Sequence, residues 1–257
     1  MTIKTYSAFT YGHTITIDNQ LIPFSENGVD EILATIPVGS YTLSDFAIAV
    51  SSAMTNFGSQ TYTVSLDRST RLLTISAPSN FWLYVTSSSV SNVSAYPLMG
   101  FSTERSNILT ADGDSASGDI FEPQFYLQKY VDFDDFQSSN NVTVNETASG
   151  KVEVIKYGNI NFMECNITLQ TNIAQGKDSV IKNKSGYSDL LLFMQYATTK
   201  QPMEFIPNID DMNTFTDCIL EKTGSDSTGT GFKLKELYSR GFADWWETGI
   251  ITFRKVI

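Results

Sequence analysis

Histidine occurs once and cysteine twice in 257 residues, and these scarcities exclude more chemistry than any motif supplies. A zinc site needs several Cys and His at short spacing, and one histidine with two distant thiols does not provide it. Two cysteines are also too few for a disulfide framework. Cys165 and Cys218 each sit in an apolar, strand-like run, Asn161–Leu169 and Thr214–Leu220, which reads them as small buried hydrophobes. A Ser-His-Asp triad has to use His13, but no Gly-X-Ser-X-Gly elbow accompanies it. Walker A and Gly-X-Gly-X-X-Gly sequences are missing, so no phosphate cradle is expected.

Positive charge is also short. Seventeen Lys and Arg face 28 Asp and Glu, a net charge of −11, which disfavours nucleic acid as a partner because that affinity rests on cations neutralising phosphates. No apolar run approaches the roughly 18–20 residues that cross a bilayer. The first residues, Met1 to Tyr6, lack the charged-then-apolar pattern of a signal peptide. The expectation is synthesis in a cytosol, with no membrane partner. Charged residues make up 18% of the chain, below the roughly 25% of an ordinary soluble domain, and Ser, Thr and Asn take their place. With 41% hydrophobic residues, the chain has the material for a packed core.

The periodicities are mostly those of strands. Thr14–Ile17 and Leu21–Phe24 flank Asp18-Asn19 as a hairpin signal, and Glu31–Ile36 reads as another strand, closed by Pro37 and Gly39. Thr42-Leu-Ser-Asp45 fits a capping box, with Ser44 as an alternative cap. Phe46, Val50, Ala53, Met54 and Phe57 then recur at helical spacing up to Gly58. This predicts a helix over about 42–57. Thr61–Leu66 and Arg71–Ser76 predict a second hairpin, and Phe81–Val85 a further strand. Tyr96–Phe101 forms an apolar knot, and Ser102–Asp119 reads as an exposed loop.

From about Phe121 the texture changes. Asn140–Gly150 reads as a polar loop, Lys151–Tyr157 as a strand, and Gly158-Asn159 as a turn into the Cys165 strand. Gly176–Gly186 reads as a mobile segment. A second helix is predicted over about 188–199, ended by Pro202. Strands are expected at 203–206, 214–221, 232–237 and 249–253, with a flexible loop at Gly224–Gly231. The fold class is α+β, β-dominated. Two domains, 1–120 and 121–257, are each expected to hold an antiparallel sheet, or small sandwich or barrel, and one packed helix.

Three acidic groups merit weighing. Asp112, Asp114 and Asp119 resemble part of a calcium loop, but Ala116 occupies the third alternate position. Asp132, Asp134 and Asp135, among aromatics, are candidates for half of a glycosidase pair, although strand alternation separates Asp134 from Asp135. Asp210-Asp211 follows Pro207-Asn208 and reads as a turn. No catalytic, cofactor-binding or metal-ligating residue is assigned. Trp245-Trp246 is read first as a protein-contact element.

Two segments resemble known modules. Gly39-Ser-Tyr-Thr-Leu43, the capped helix, the Tyr62/Leu72 hairpin and Leu98-Met-Gly-Phe101 are similar to a module of virus structural proteins, from which Met99 departs mildly. Leu190–Tyr196, Pro202-Met-Glu-Phe-Ile-Pro207, Phe215–Glu221 and Tyr238 through Gly249–Arg254 resemble C-terminal domains of tailed-bacteriophage tail and baseplate proteins. About half of the chain is covered. The resemblance implies a non-enzymatic virion subunit of the tail tip, baseplate or neck, assembled in the host cytoplasm. It further implies a homo-oligomeric ring or adaptor that contacts other tail or neck proteins. Phe101 and Arg254, in the segments that carry it, join Trp245 and Trp246 as candidate interface residues. Two alternatives stand beside this reading. One is a carbohydrate-binding host-recognition module using Trp82 or Trp245 and Trp246; the other is a hydrolase using Asp134.

Overall fold

The computed structural model describes residues 7–68, 70–114, 123, 125–127, 137–146, 152–170, 187–239 and 244–256, with side chains except in 137–161, 168–170, 187, 237–239 and 244–245. The chain enters through β1 (Ala8–Tyr11), β2 (His13–Ile15), β3 (Leu21–Ser25), β4 (Ile32–Thr35) and β5 (Gly39–Tyr41). The turn at Asp18-Asn19 forms, with the Thr16 N–H donating to Asn19 Oδ1 at 2.7 Å. It does not close a hairpin, however. β2 pairs with β5, while β3 pairs with β4 and β7.

Helix α1 (Leu43–Phe57) starts where its cap predicts, the Asp45 N–H donating to Thr42 Oγ1 at 3.1 Å. Its apolar stripe, Phe46, Val50, Ala53 and Met54, is buried. Strands β6 (Thr63–Asp67) and β7 (Leu72–Leu83) form the second predicted hairpin. Phe81–Leu83 is not a separate strand but the end of β7, carried past Pro78 by a register shift against its neighbour. The apolar knot is a one-turn helix, α2 (Tyr96–Met99), stopped by Gly100 at φ 80°. The segment read as a loop after it contains β8 (Arg105–Asp112), which lies along β7. Its Ser, Asn and Thr residues suit a strand with one solvated side.

Strand β9 (Phe125–Tyr126) is followed by β10 (Gln137–Glu146) and β11 (Val152–Gln170). Both polar punctuation marks in this region mislead. Residues 140–146 are strand, and Gly158-Asn159 is no turn but lies at a register shift in one 19-residue strand. The predicted mobile segment Gly176–Gly186 lies outside the described residues. Helix α3 (Tyr187–Thr198) precedes β12 (Met203–Ile206), β13 (Thr216–Lys222), β14 (Lys235–Ser239) and β15 (Asp244–Lys255).

Among the described residues the strand pairs are all antiparallel. The larger sheet runs β10-β11-β15-β13-β12-β1-β9, with β14 beside β15; the smaller, five-stranded one runs β4-β3-β7-β6, with β8 beside β7; β2 and β5 pair as a separate two-stranded sheet. The fold is therefore α+β and β-dominated, with three helices among the described residues. One hydrophobic cluster joins α1 and α2 to the smaller sheet and β2. The other joins α3 to one face of the larger sheet, around stacked Phe125 and Phe193 (4.5 Å) and the rings of Phe9, Phe205 and Phe253. The first strand, β1, hydrogen-bonds within the larger sheet, between β12 and β9.

Gly12 carries the chain from β1 in the larger sheet to β2 in the β2–β5 pair. Its N–H donates to the Pro202 carbonyl and the Tyr196 hydroxyl, each at 3.1 Å, while Tyr11 stacks on Tyr196. A Cβ here meets the Tyr41 carbonyl oxygen within van der Waals contact and the Pro202 carbonyl oxygen at 2.8 Å. Both obstacles are backbone and cannot rotate away. Gly12→Ala is expected to cost at least about 2 kcal/mol, read as a lower urea midpoint at unchanged slope.

Candidate functional site

In β1, β12 and β13 alternate residues face opposite ways. Phe9, Met203, Phe205, Cys218 and Leu220 point into the α3 cluster. The other face carries Ala8, Thr10, Glu204, Ile206 and Asp217, with Thr10 opposite Glu204 and Glu204 opposite Asp217 in the register. Met203–Ile206 is buried at all four positions, so this second face is covered too.

Its cover comes from the first hydrophobic unit. Arg68, in the β6–β7 turn, donates from Nη1 to Glu204 Oε2 at 2.6 Å and from Nη2 to Glu204 Oε1 at 2.7 Å. The Glu204 side chain is 0% exposed and that of Arg68 10%. The guanidinium lies 3.6 Å from the centroid of the Phe215 ring, and Nη2 reaches Ser44 at 3.4 Å. A planar fork that also stacks on an aromatic face is specific to arginine. Ser44, weighed as a helix cap, instead contributes to this junction.

Around the pair the polar groups are under-supplied. Thr10 Oγ1 and Asp217 Oδ1 are buried without a hydrogen-bond partner among the described residues. Burial, and secondarily the charges of Glu204 and Asp45, push the Asp217 carboxyl up to about 6, against the pull of Arg68 and Lys255. Sequence reasoning missed this junction. Its one legible signal is Glu204 itself, a charge inside Met-Glu-Phe-Ile.

The residues singled out from sequence that are described do not converge. Phe101 is 2% exposed in the first core, edge-on to Tyr96 and beneath Arg105. Trp246 is half-buried against the α3 cluster, and Arg254, eight residues further along β15, pairs with Glu221 at 3.3 Å. The Trp245 side chain lies outside the described residues, as do Asp119, Asp132, Asp134 and Asp135. Trp82 lies over Gly28.

Asp112 accepts from Thr74, and Asp114 accepts from Ser102, Thr103 and Arg105. These bonds hold Asp114 well below the usual carboxylate range, despite opposing desolvation. Asp211 accepts from Thr214 in the predicted turn. Among the described residues no group of three His, Cys, Asp or Glu side chains is arranged to hold a metal ion. Both cysteines are free and buried, their thiols pushed up by desolvation. An open cleft of about 430 Å³ lies between Gly224-Ser225, Lys233, Lys235 and Glu247–Ile250, its Lys235 and Glu247 paired at 3.4 Å.

His13 is 7% exposed and edge-on to Phe46. Burial pushes it down to about 4, so it is neutral in the fold near neutrality.

No protein-family model matches the chain, and no curated protein matches its sequence.

Two predictions follow from burial. Arg68→Met leaves a buried carboxylate without its partner and is expected to cost about 3–5 kcal/mol. The double variant Arg68→Met/Glu204→Met should recover most of that, and chemical denaturation of both variants beside the native protein checks it. For His13, the folded value is depressed. The unfolded chain therefore takes a proton first as pH falls through about 6.5, and stability drains until the folded value near 4 is reached. The loss is at most about 3 kcal/mol. His13→Gln should flatten this limb of the urea-midpoint profile between pH 7 and 4.

Proposed function

We propose that the protein is a non-enzymatic structural subunit of a tailed-phage virion, a ring or adaptor of the tail tip, baseplate or neck. The resemblance of its two segments to virus and tail proteins suggests the setting. The observation that carries an assembly role is the β10–β11 hairpin. β10 pairs with β11 over residues 152–162, whereas β15 pairs with β11 only over 162–170. Among the described residues, the half of β11 before Phe162 therefore has β10 as its sole neighbour. The hairpin is an arm of about ten residue pairs, about 33 Å long, with backbone edges on both sides. Two isolated strands are marginal in water, and open edges accept strands from other chains. An arm of this kind is what a subunit joined to neighbours requires.

The full chain is expected to form a discrete oligomer by light scattering over a range of concentrations. The β10 amides should be protected from hydrogen exchange in the oligomer and lose that protection on dilution to monomer. A monomer at every concentration that binds glycans, and ceases to bind on Trp246→Ala, overturns the proposal in favour of host carbohydrate recognition.

A further inference from the structure

Beyond an assembly role, the junction between the two hydrophobic units contains an arrangement that assembly does not require. Glu204 and Asp217 are direct cross-strand neighbours on one face of the sheet, and like charges in that position repel. Both oxygens of Glu204 are taken by the fork of Arg68. Asp217 Oδ1 is buried and accepts nothing from the described residues. The groups acting on Asp217 come from every side. Glu204 on β12 and Asp45 on α1 are negative, and Arg68 in the β6–β7 turn and Lys255 on β15 are positive. With all five charged, three carboxylates oppose two cations, and the better-placed cation is already spent on Glu204.

We infer that Asp217 makes the Arg68–Glu204 contact between the two units a proton-sensitive latch, strained at neutral pH and tightened in mildly acidic solution when Asp217 takes up one proton. Glu204 keeps its bond to Arg68 in both states. Protonation of Asp217 removes a charge from beside it and turns an acceptor without a donor into an O–H that can donate toward the Glu204 carboxylate opposite.

The sign follows from the raised folded value. Native Asp217 binds its proton near pH 6, and the unfolded chain near 3.8. Stability is lower above pH 6 and returns as pH falls from 6 toward 3.8. This is opposite to the contribution of His13, which is common to both proteins in the comparison below and cancels.

The test compares the full-length protein with Asp217→Asn, which mimics the protonated state in shape. Asp217→Asn should be the more stable at pH 7.5. Between pH 7 and 5 its advantage in the unfolding constant should shrink by up to about tenfold, less where solvent screens the half-exposed side chain. Amide exchange in residues 42–46 and 203–206, corrected for its intrinsic pH dependence, should slow on acidification in the native sequence and not in the variant. Should Asp217→Asn fail to fold, carboxyl carbon NMR of the native protein and of Asp45→Asn decides the matter. The Asp217 midpoint should lie above 5 and fall when the Asp45 charge is removed. A constant stability difference across pH, or an Asp217 midpoint near 4, overturns the inference.

Discussion

Arg68 reaches Glu204 with both arms of its fork at a place where the carboxylate is wholly buried, and the arrangement around it follows from that constraint. A buried charge without a partner is far costlier than a lost contact, so the β6–β7 turn must hold the guanidinium over β12. Phe215 supplies a ring for its face and Ser44 an oxygen near its edge. The start of α1 is thereby fixed relative to the larger sheet. Such a pair contributes little net stability over apolar residues of the same shape. It supplies geometry, because only one placement of the first unit satisfies both ends of the fork.

The surplus of acid over base finds a physical use elsewhere. Glu26 accepts from the backbone of Ser59 and Gln60 and from the Tyr62 hydroxyl. Glu104 accepts from the amides of Val85, Thr86 and Ser87. Asp226 gathers the amides of Thr228, Thr230 and Gly231. In each case a carboxylate closes a turn by accepting several N–H groups, and its value is lowered by those bonds. Acids used this way need no cation, which is how a chain of net charge −11 holds its loops. The Gly224–Gly231 stretch, flexible by its composition, is in fact such a hydrogen-bonded turn.

Where local chemistry decides, the sequence was readable. Thr42 and Gly58 bound α1, the Asp67–Thr70 turn joins β6 to β7, and the apolar spacing marks α3. Where partners decide, it was not. Polar strands such as β8 and β10 look like loops because their Ser, Thr and Asn residues carry turn propensity, and only the neighbouring strand overrides it. Thr14 and Leu21 suggest a hairpin because the turn between them is real, but β2 joins the later β5 and β3 joins the following strand, β4. The junction was hidden for the same reason. Arg68 and Glu204 are 136 residues apart, and nothing local in either segment refers to the other.

The alternation of β12 binds these strands of argument together. A strand with one wet face can lose its cover without exposing anything it was not built to expose. Met203–Ile206 has no such face: Met203 and Phe205 serve the α3 core, Glu204 meets Arg68 at the junction, and Ile206 is buried as well. Moving the first unit away strips a desolvated carboxylate of its cation. The penalty therefore rises steeply with the first small displacement, since the two hydrogen bonds of the fork fail together. Short strands that serve two cores convert a modest apolar contact into a fixed angle between sheets. A fixed angle is what the proposed role as a repeated subunit calls for.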